Sequence, residues 1–278
     1  MTINEKIAFI NEARIKRQEL IKLSKSKEEL ELLKKVCEYT IDVYGEKSNV
    51  TIDILNEVGG AAKYVGEYNL AINSIVEARN IIKEKFGDDN IPYATTTLNL
   101  AEVYRFKGEI DKLLVLYQKV KEIYEKYDMY NTYEYASICN NLGLYYQDVK
   151  DSKKALELHL ISYEILKNDN EHELALATTM NNLALAYRGV SDIEKSDEYI
   201  KKALKLYEKT VGKGHSMYSA AINSLASSLY LQGDLEKSLE LFEKGLFIVE
   251  ASFGTNSINY IKMKENVEMV KDTINKLK

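Results

Sequence analysis

The strongest constraint on this chain is that it repeats itself in one register. The pair Val58-Gly59 is echoed by Leu100-Ala101, Leu142-Gly143, Leu183-Ala184 and Leu225-Ala226, at steps of 42, 42, 41 and 42 residues. Short breaks keep the same step: "VGEY" at 65–68, "KGEI" at 107–110, "VKDS" at 149–152, "VSDI" at 190–193 and "QGDL" at 232–235. A period of this size marks a stack of supersecondary units, each burying its apolar face only against its neighbours. Two more columns, Ala71, Leu113, Ala155, Ser196, Ser238 and Ala78, Val120, Ser162, Ala203, Gly245, are mostly small and lie seven residues apart. Seven residues are two helical turns, so both columns share a face where another helix can approach closely. Ile75, Tyr117, His159, Ile200 and Phe242 stand between them and fill the space beside the contact. Each repeat therefore reads as a helix A, a tight turn and a helix B. A single proline in 278 residues suits such uninterrupted helices.

The register divides the chain. Residues 49–256 hold five repeats, at 49–90, 91–131, 132–173, 174–215 and 216–256. Residues 1–48 read as a degenerate amino-terminal helical pair: 27–48 match a helix B, whereas the helix at 3–23 departs, with Arg17 where other copies have Gly or Ala. Residues 257–278 read as a carboxy-terminal capping helix, with an apolar stripe of Ile258, Ile261, Val267, Val270, Ile274 and Leu277 opposite Lys262, Glu265, Lys271 and Asp272. The third repeat ends in "LKNDNEH", without a glycine turn, so its helix B is expected to stop early and the junction at 166–174 to hinge.

Several function classes are excluded on composition. A formal charge of −5, with 38 basic and 43 acidic residues interspersed, offers no basic stripe for nucleic acid. The start has neither a secretory apolar run nor a membrane span, so the chain reads as cytoplasmic and without membrane association. Cys37 and Cys139 lie about a hundred residues apart and read as small buried hydrophobes. His159, His172 and His215 are not at ligand spacing, and no phosphate loop, dinucleotide fingerprint or C-x-x-C pair occurs. No catalytic residue, cofactor or metal is expected; the chain reads as a non-enzyme.

The small, aromatic and turn columns resemble the tetratricopeptide repeat, and the 42-residue period resembles its kinesin-light-chain variety. The best copy is "ALATTMNNLALAYRGVSDIEKSDEYIKKALKLYEKTVGKGH" at 175–215. In that variety helix B is longer and ends in a glycine turn, as in "FGDDN" at 86–90, "VGKGH" at 211–215 and "FGTNS" at 253–257. The resemblance implies an all-α, TPR-like α-α superhelix: a right-handed solenoid of antiparallel helix pairs, with every helix A lining a concave groove.

On that resemblance, the two positions before each Leu-small pair face the groove: Asn56-Glu57, Leu98-Asn99, Asn140-Asn141, Asn181-Asn182 and Asn223-Ser224. Asparagine is mildly unfavourable in mid-helix, by up to about 0.7 kcal/mol, so its recurrence at one place calls for a reason. An amide carries a donor and an acceptor and can hold a peptide backbone without reading its side chains. In kinesin light chains similar asparagines clamp cargo peptides, and Asn99, Asn141 and Asn182 match them best. Alternatively, the amides bond between adjacent A helices and set the pitch of the stack.

Rim positions hold Lys63, Arg105, Gln147, Arg188 and Tyr230, then Tyr64, Phe106, Asp148, Gly189 and Leu231. Three cations beside Tyr64 and Phe106 suit an acidic peptide with a hydrophobic anchor; the plainer reading is that they solvate helix ends. Of the 21 tyrosines, Tyr104, Tyr146 and Tyr187 in helix A, and Tyr44, Tyr124 and Tyr207 late in helix B, read as core, leaving Tyr64, Tyr145 and Tyr230 for a ligand. The expected function is an interaction adaptor, monomeric and of low-GC bacterial composition, that binds a protein or peptide in its groove. A peptide-sensing regulator and a self-assembling structural protein are the alternatives.

Overall fold

The computed structural model describes residues 1–22, 25–255 and 257–277; the side chains of Lys22, Phe253 and Ile258 are outside the description. Among the described residues the regular structure is entirely helical. The helices are α1 (Ile3–Lys22), α2 (Ser26–Tyr44), α3 (Asn49–Val65), α4 (Tyr68–Phe86), α5 (Ile91–Lys107), α6 (Leu113–Lys126) and α7 (Tyr133–Asp148). They continue as α8 (Ser152–Leu166), α9 (Glu173–Gly189), α10 (Ile193–Thr210), α11 (Ser216–Leu231), α12 (Leu235–Phe253) and α13 (Ile258–Leu277). A single 3-10 turn, Ile110–Lys112, leads into α6. No helix among the described residues is long and apolar enough to cross a membrane. The chain forms two compact units, Met1–Tyr130 and Asn131–Lys278.

Within each unit the odd-numbered helices from α3 to α11 are the A helices and the even-numbered ones from α4 to α12 the B helices. Their turns show why the register holds. Gly66, Gly108 and Gly233 sit at positive φ, near 82°, between A and B helices. In the third and fourth repeats the same positions are Lys150 (φ 63°) and Ser191 (φ 65°), so the turn geometry is imposed even where the residue resists it. Asp151, Asp192 and Asp234 then cap the B helices, accepting from the amides of Lys154, Lys195 and Lys237.

The small columns do what their spacing implies. Gly59 of α3 approaches Ile75 of α4 so closely that a Cβ there would lie 2.4 Å from Ile75 Cγ1, and a Cβ on Gly143 of α7 would lie 2.5 Å from the His159 ring on α8. Ile75, Tyr117, His159, Ile200 and Phe242 are all fully buried. Burial of each hydrophobic member of that column contributes about 1.5–3 kcal/mol, and the tandem contacts spread this along the stack. In the first unit one core runs from Ile10 and Leu33 through Val58, Ala62 and Ile75 to Leu100 and Val103. In the second, separate clusters form around Leu166, Ala177–Tyr207 and Phe242–Val270.

Several details differ from the expectations. α8 stops at Leu166, as expected, ahead of the junction at 166–174. At that junction Asp169 accepts from the Glu171 and His172 amides, and His172 stacks on Tyr133 with centroids 4.1 Å apart. Tyr44 is exposed, because it lies four residues beyond the buried column of Thr40, Ile82, Tyr124, Leu166, Tyr207 and Val249. In α13 the buried face is Met263, Val267 and Val270 with Ile274 beside it, whereas Ile261 and Leu277 are exposed; Ile261 lies two residues before Met263, about 200° round the helix. The side chain of Ile258, and Asn256 of the "FGTNS" sequence, lie outside the described residues, as does Leu23 of the helix expected at 3–23.

The register also explains α13. One period beyond Ser224, Leu225 and Ala226 stand Asn266, Val267 and Glu268. α13 therefore packs on α12 as a further A helix, while Glu268, with Lys264 close by, replaces the small residue on which a following B helix would seat.

Candidate peptide-binding site

The recurrent asparagines meet in pairs across neighbouring A helices. In the first unit Asn99 Nδ2 donates to Asn56 Oδ1 at 3.0 Å, and Asn56 Nδ2 donates to its own helix at the Ile52 carbonyl. In the second, Asn182 Nδ2 donates to Asn140 Oδ1 at 3.2 Å, and Asn266 Nδ2 donates to Asn223 Oδ1 at 3.0 Å. The rule is constant: the first-column amide accepts from the second-column amide one repeat later. Where the columns break, so does the bridge. Asn181 faces Ser224 in register, but Ser224 bonds the Ala220 carbonyl in its own helix, and Asn181 Oδ1 stays buried without a partner. Asn141 remains half-buried.

Asn140 is held from below as well. His159 Nδ1 lies 2.6 Å from Asn140 Oδ1, so the ring, seated against Gly143, donates into the bridge. Burial pushes its pKa down to about 4, which keeps the imidazole neutral and Nδ1 available as a donor. Sequence reasoning treated His159 as packing alone; the hydrogen bond needs the three-dimensional offset of α7 and α8.

The rim residues are placed differently from one another. Lys63 is only 7% exposed; its Nζ pairs with Glu102 Oε2 at 2.6 Å and lies 4.7 Å and 5.0 Å from the ring centroids of Tyr64 and Phe106. Gln147 Nε2 and Arg188 Nη1 donate to the carbonyls of Asn182 and Ser224, each on the next A helix. Desolvation lowers the pKa of Arg188, though a guanidinium stays charged. Tyr230 Oη and Thr273 Oγ1 share a hydrogen bond at 3.2 Å. These side chains thus stitch successive A helices together. The buried Nε of Arg105 has no hydrogen-bond partner among the described residues, and the guanidinium lies 5.4 Å from the centre of the Phe106 ring. Tyr64 is 68% exposed and meets Phe106 edge to face at 5.7 Å.

One cleft gathers part of this set. About 540 Å³ in volume, it is lined by Arg17, Glu29, Asn56, Glu57, Gly60, Tyr64 and Asn99, among others, and lies wholly in the first unit. Arg17, the residue that breaks the repeat pattern, spans its floor through ion pairs to Glu29 (2.9 Å) and Glu57 (3.0 Å). The cleft offers amides, an exposed ring and a neutralised ion-pair network. Among the described residues no cluster of His, Cys, Asp and Glu could hold a metal ion, and neither cysteine is in a disulfide.

Tandem antiparallel helix pairs with a polar, amide-lined A-helix face define a helical-repeat interaction protein. A family model described as tetratricopeptide repeat matches residues 50–126, 92–168, 134–209 and 175–251. The chain belongs to the tetratricopeptide repeat family, whose members generally act as protein-interaction scaffolds. The overlapping matches advance by 42, 42 and 41 residues, the step of the register itself.

Similar solved structures include BtubC (BKLC) from P. vanneervenii, with a TM-score of 0.62 at 17% identity, covering 84% of this chain and 92% of that one. The nearly identical TPR-like repeats of a putative kinesin light chain from Podosopora anserina give 0.59 at 17% identity, covering 72% and 95%. A Rap protein complexed with competence and sporulation factor gives 0.60 at 16% identity, covering 97% and 88%. At these identities the likeness is one of fold. No curated protein matches the chain.

Proposed function

We propose that this chain is an adaptor that holds an extended peptide segment of a partner protein, with the cleft of the first unit as one seat. The observation that carries the reading is the Asn56–Asn99 bridge beneath an exposed aromatic. Because Asn99 spends its Nδ2 on Asn56, its Oδ1 is left to accept a peptide N–H, and Tyr64 beside it, with Lys63 over its ring and Phe106 against it, stays 68% exposed. A hydrophobic anchor on the peptide would pack on Tyr64 and Phe106. Any acidic preference would be drawn by Arg105, since Glu102 already neutralises Lys63. The Rap protein of similar fold, complexed with competence and sporulation factor, supports the reading.

The test is selection from a displayed library of random linear peptides, followed by affinity measurement against wild type, Asn99→Ala and Tyr64→Ala. Each variant is expected to bind the selected peptides about five- to thirtyfold more weakly, the loss of one hydrogen bond or one aromatic contact at about 1–2 kcal/mol, with helix content unchanged. Equal affinity for all three proteins would remove the cleft from the function.

A further inference from the structure

The set that marks the cleft of the first unit recurs four repeats later, in register: Asn56, Tyr64 and Asn99 are matched by Asn223, Leu231 and Asn266. The geometry recurs with the spacing. Asn266 Nδ2 donates to Asn223 Oδ1 at 3.0 Å, as Asn99 Nδ2 does to Asn56 Oδ1, so Asn266 also keeps an Oδ1 for a peptide N–H. Leu231 is 63% exposed in the place of the exposed Tyr64. The middle bridge, from Asn182 to Asn140, has the charged Asp148 at that rim position. The later set lies wholly in the second unit, on α11 and α13.

The substitutions between the two sets say what the later one would take. Tyr230 stands for Lys63 and Thr273 for Phe106, and their hydroxyls share a hydrogen bond, so the rim contact is kept without the ion pair. Met269 stands for Glu102 and is 41% exposed, which adds a second aliphatic surface beside Leu231. The charge is reversed as well. Asp272 stands for Arg105 and Glu265 for Leu98, both exposed. The neighbouring lysines are spent elsewhere, Lys264 on Glu268 and Lys271 on Glu243, and neither Glu265 nor Asp272 enters an ion pair among the described residues. Two unpaired carboxylates beside an aliphatic surface complement a basic side chain, whose methylene stem can lie on the apolar part while its head meets the charge.

We propose that α11 and α13 form a second peptide seat, for a segment that sets an aliphatic side chain on Leu231 and Met269 and carries a lysine or arginine next to it, drawn by Glu265 and Asp272. The inference rests on the amide reading above but not on the cleft of the first unit. It adds a seat whose charge preference is opposite to that of Arg105.

The experiment is a methyl-NMR titration of the full chain with two capped tetrapeptides, acetyl-Ala-Leu-Lys-Ala-amide and acetyl-Ala-Leu-Glu-Ala-amide. The lysine probe is expected to shift the methyls of Leu231 and Met269 and to bind about three- to tenfold tighter than the glutamate probe, an advantage that shrinks as salt is added. In Asp272→Arg, which sets the residue type of Arg105 in its register position and offsets Glu265, the ratio is expected to fall to about one. Leu231→Ser is expected to weaken both probes, read at Met269. All of these side chains are exposed, so the fold does not depend on them. No shift at Leu231 and Met269 with the lysine probe, or the same ratio in wild type and Asp272→Arg, overturns the proposal. Asn99→Ala, in the other unit, keeps the two readings apart. Selected peptides lost in that variant, with Leu231 and Met269 silent in wild type, refute the second seat alone; a lysine-probe response that persists in Asn99→Ala supports the second seat whether or not the first one binds.

Discussion

Gly59 and Gly60 are neighbours in the middle of α3, and replacing each by alanine separates backbone propensity from packing in a single helix. Either substitution gains about 0.8–1 kcal/mol, because glycine is the poorer helix former by that amount. A Cβ on Gly60 meets nothing within 4 Å, so Gly60→Ala is expected to keep the whole gain. A Cβ on Gly59 would lie 2.4 Å from Ile75 Cγ1, 2.8 Å from its Cδ1 and 3.2 Å from the Ala71 carbonyl oxygen. Ile75 is fully buried and has nowhere to swing, and the carbonyl belongs to α4, so the two helices must part. Overpacking of that kind costs about 1–3 kcal/mol, which leaves Gly59→Ala between neutral and about 2 kcal/mol destabilised. The two variants should thus differ by about 1–3 kcal/mol. Guanidinium unfolding followed by circular dichroism reads this as separated midpoints at unchanged slope. Ala184 stands opposite Ile200 in the same register of the fourth repeat. Alanine is therefore not barred by residue type, and coincident midpoints for the two variants would refute the claim that α3 and α4 lie too close to admit it.

Lys150→Gly and Ser191→Gly should each stabilise the chain by up to about 1 kcal/mol, seen as a higher melting temperature, because both positions sit at positive φ that an L side chain adopts at a cost. His159 is neutral and buried, with its pKa pushed from the ordinary 6.5 to about 4, so the unfolded chain takes up the proton first. Stability present above pH 6.5 should fall as pH drops toward 4, by about 3 kcal/mol in all; His159→Phe, matching Phe242 in the same column, should lose that slope in denaturant midpoints measured across the range. Asn223→Ala removes the acceptor of the Asn266 bridge and should loosen α13 by about 0.5–1.5 kcal/mol, read as faster amide exchange confined to that helix.

Much of the architecture was legible because a strict period assigns every residue a face. The columns at Gly59 and Ile75, the turns at 66, 108, 150, 191 and 233, and the helix pairs they separate follow from spacing alone. Seven asparagines at one place also announced a polar A-helix face. α13 could have been read further, since Asn266 lies one period beyond Ser224, but its charged small-residue position at Glu268 made the helix look like a plain cap.

What periodicity does not carry is the offset at which one helix lies on the next, because that offset is the outcome of packing between residues dozens of positions apart. Only the tertiary structure decided that first-column amides accept from second-column amides, that His159 joins the bridge at Asn140, and that Lys63 turns inward to Glu102 while the buried Nε of Arg105 finds no partner. Arg17 is of the same kind: its departure from the small column is visible in the sequence, but its carboxylate partners, Glu29 and Glu57 on two other helices, are not.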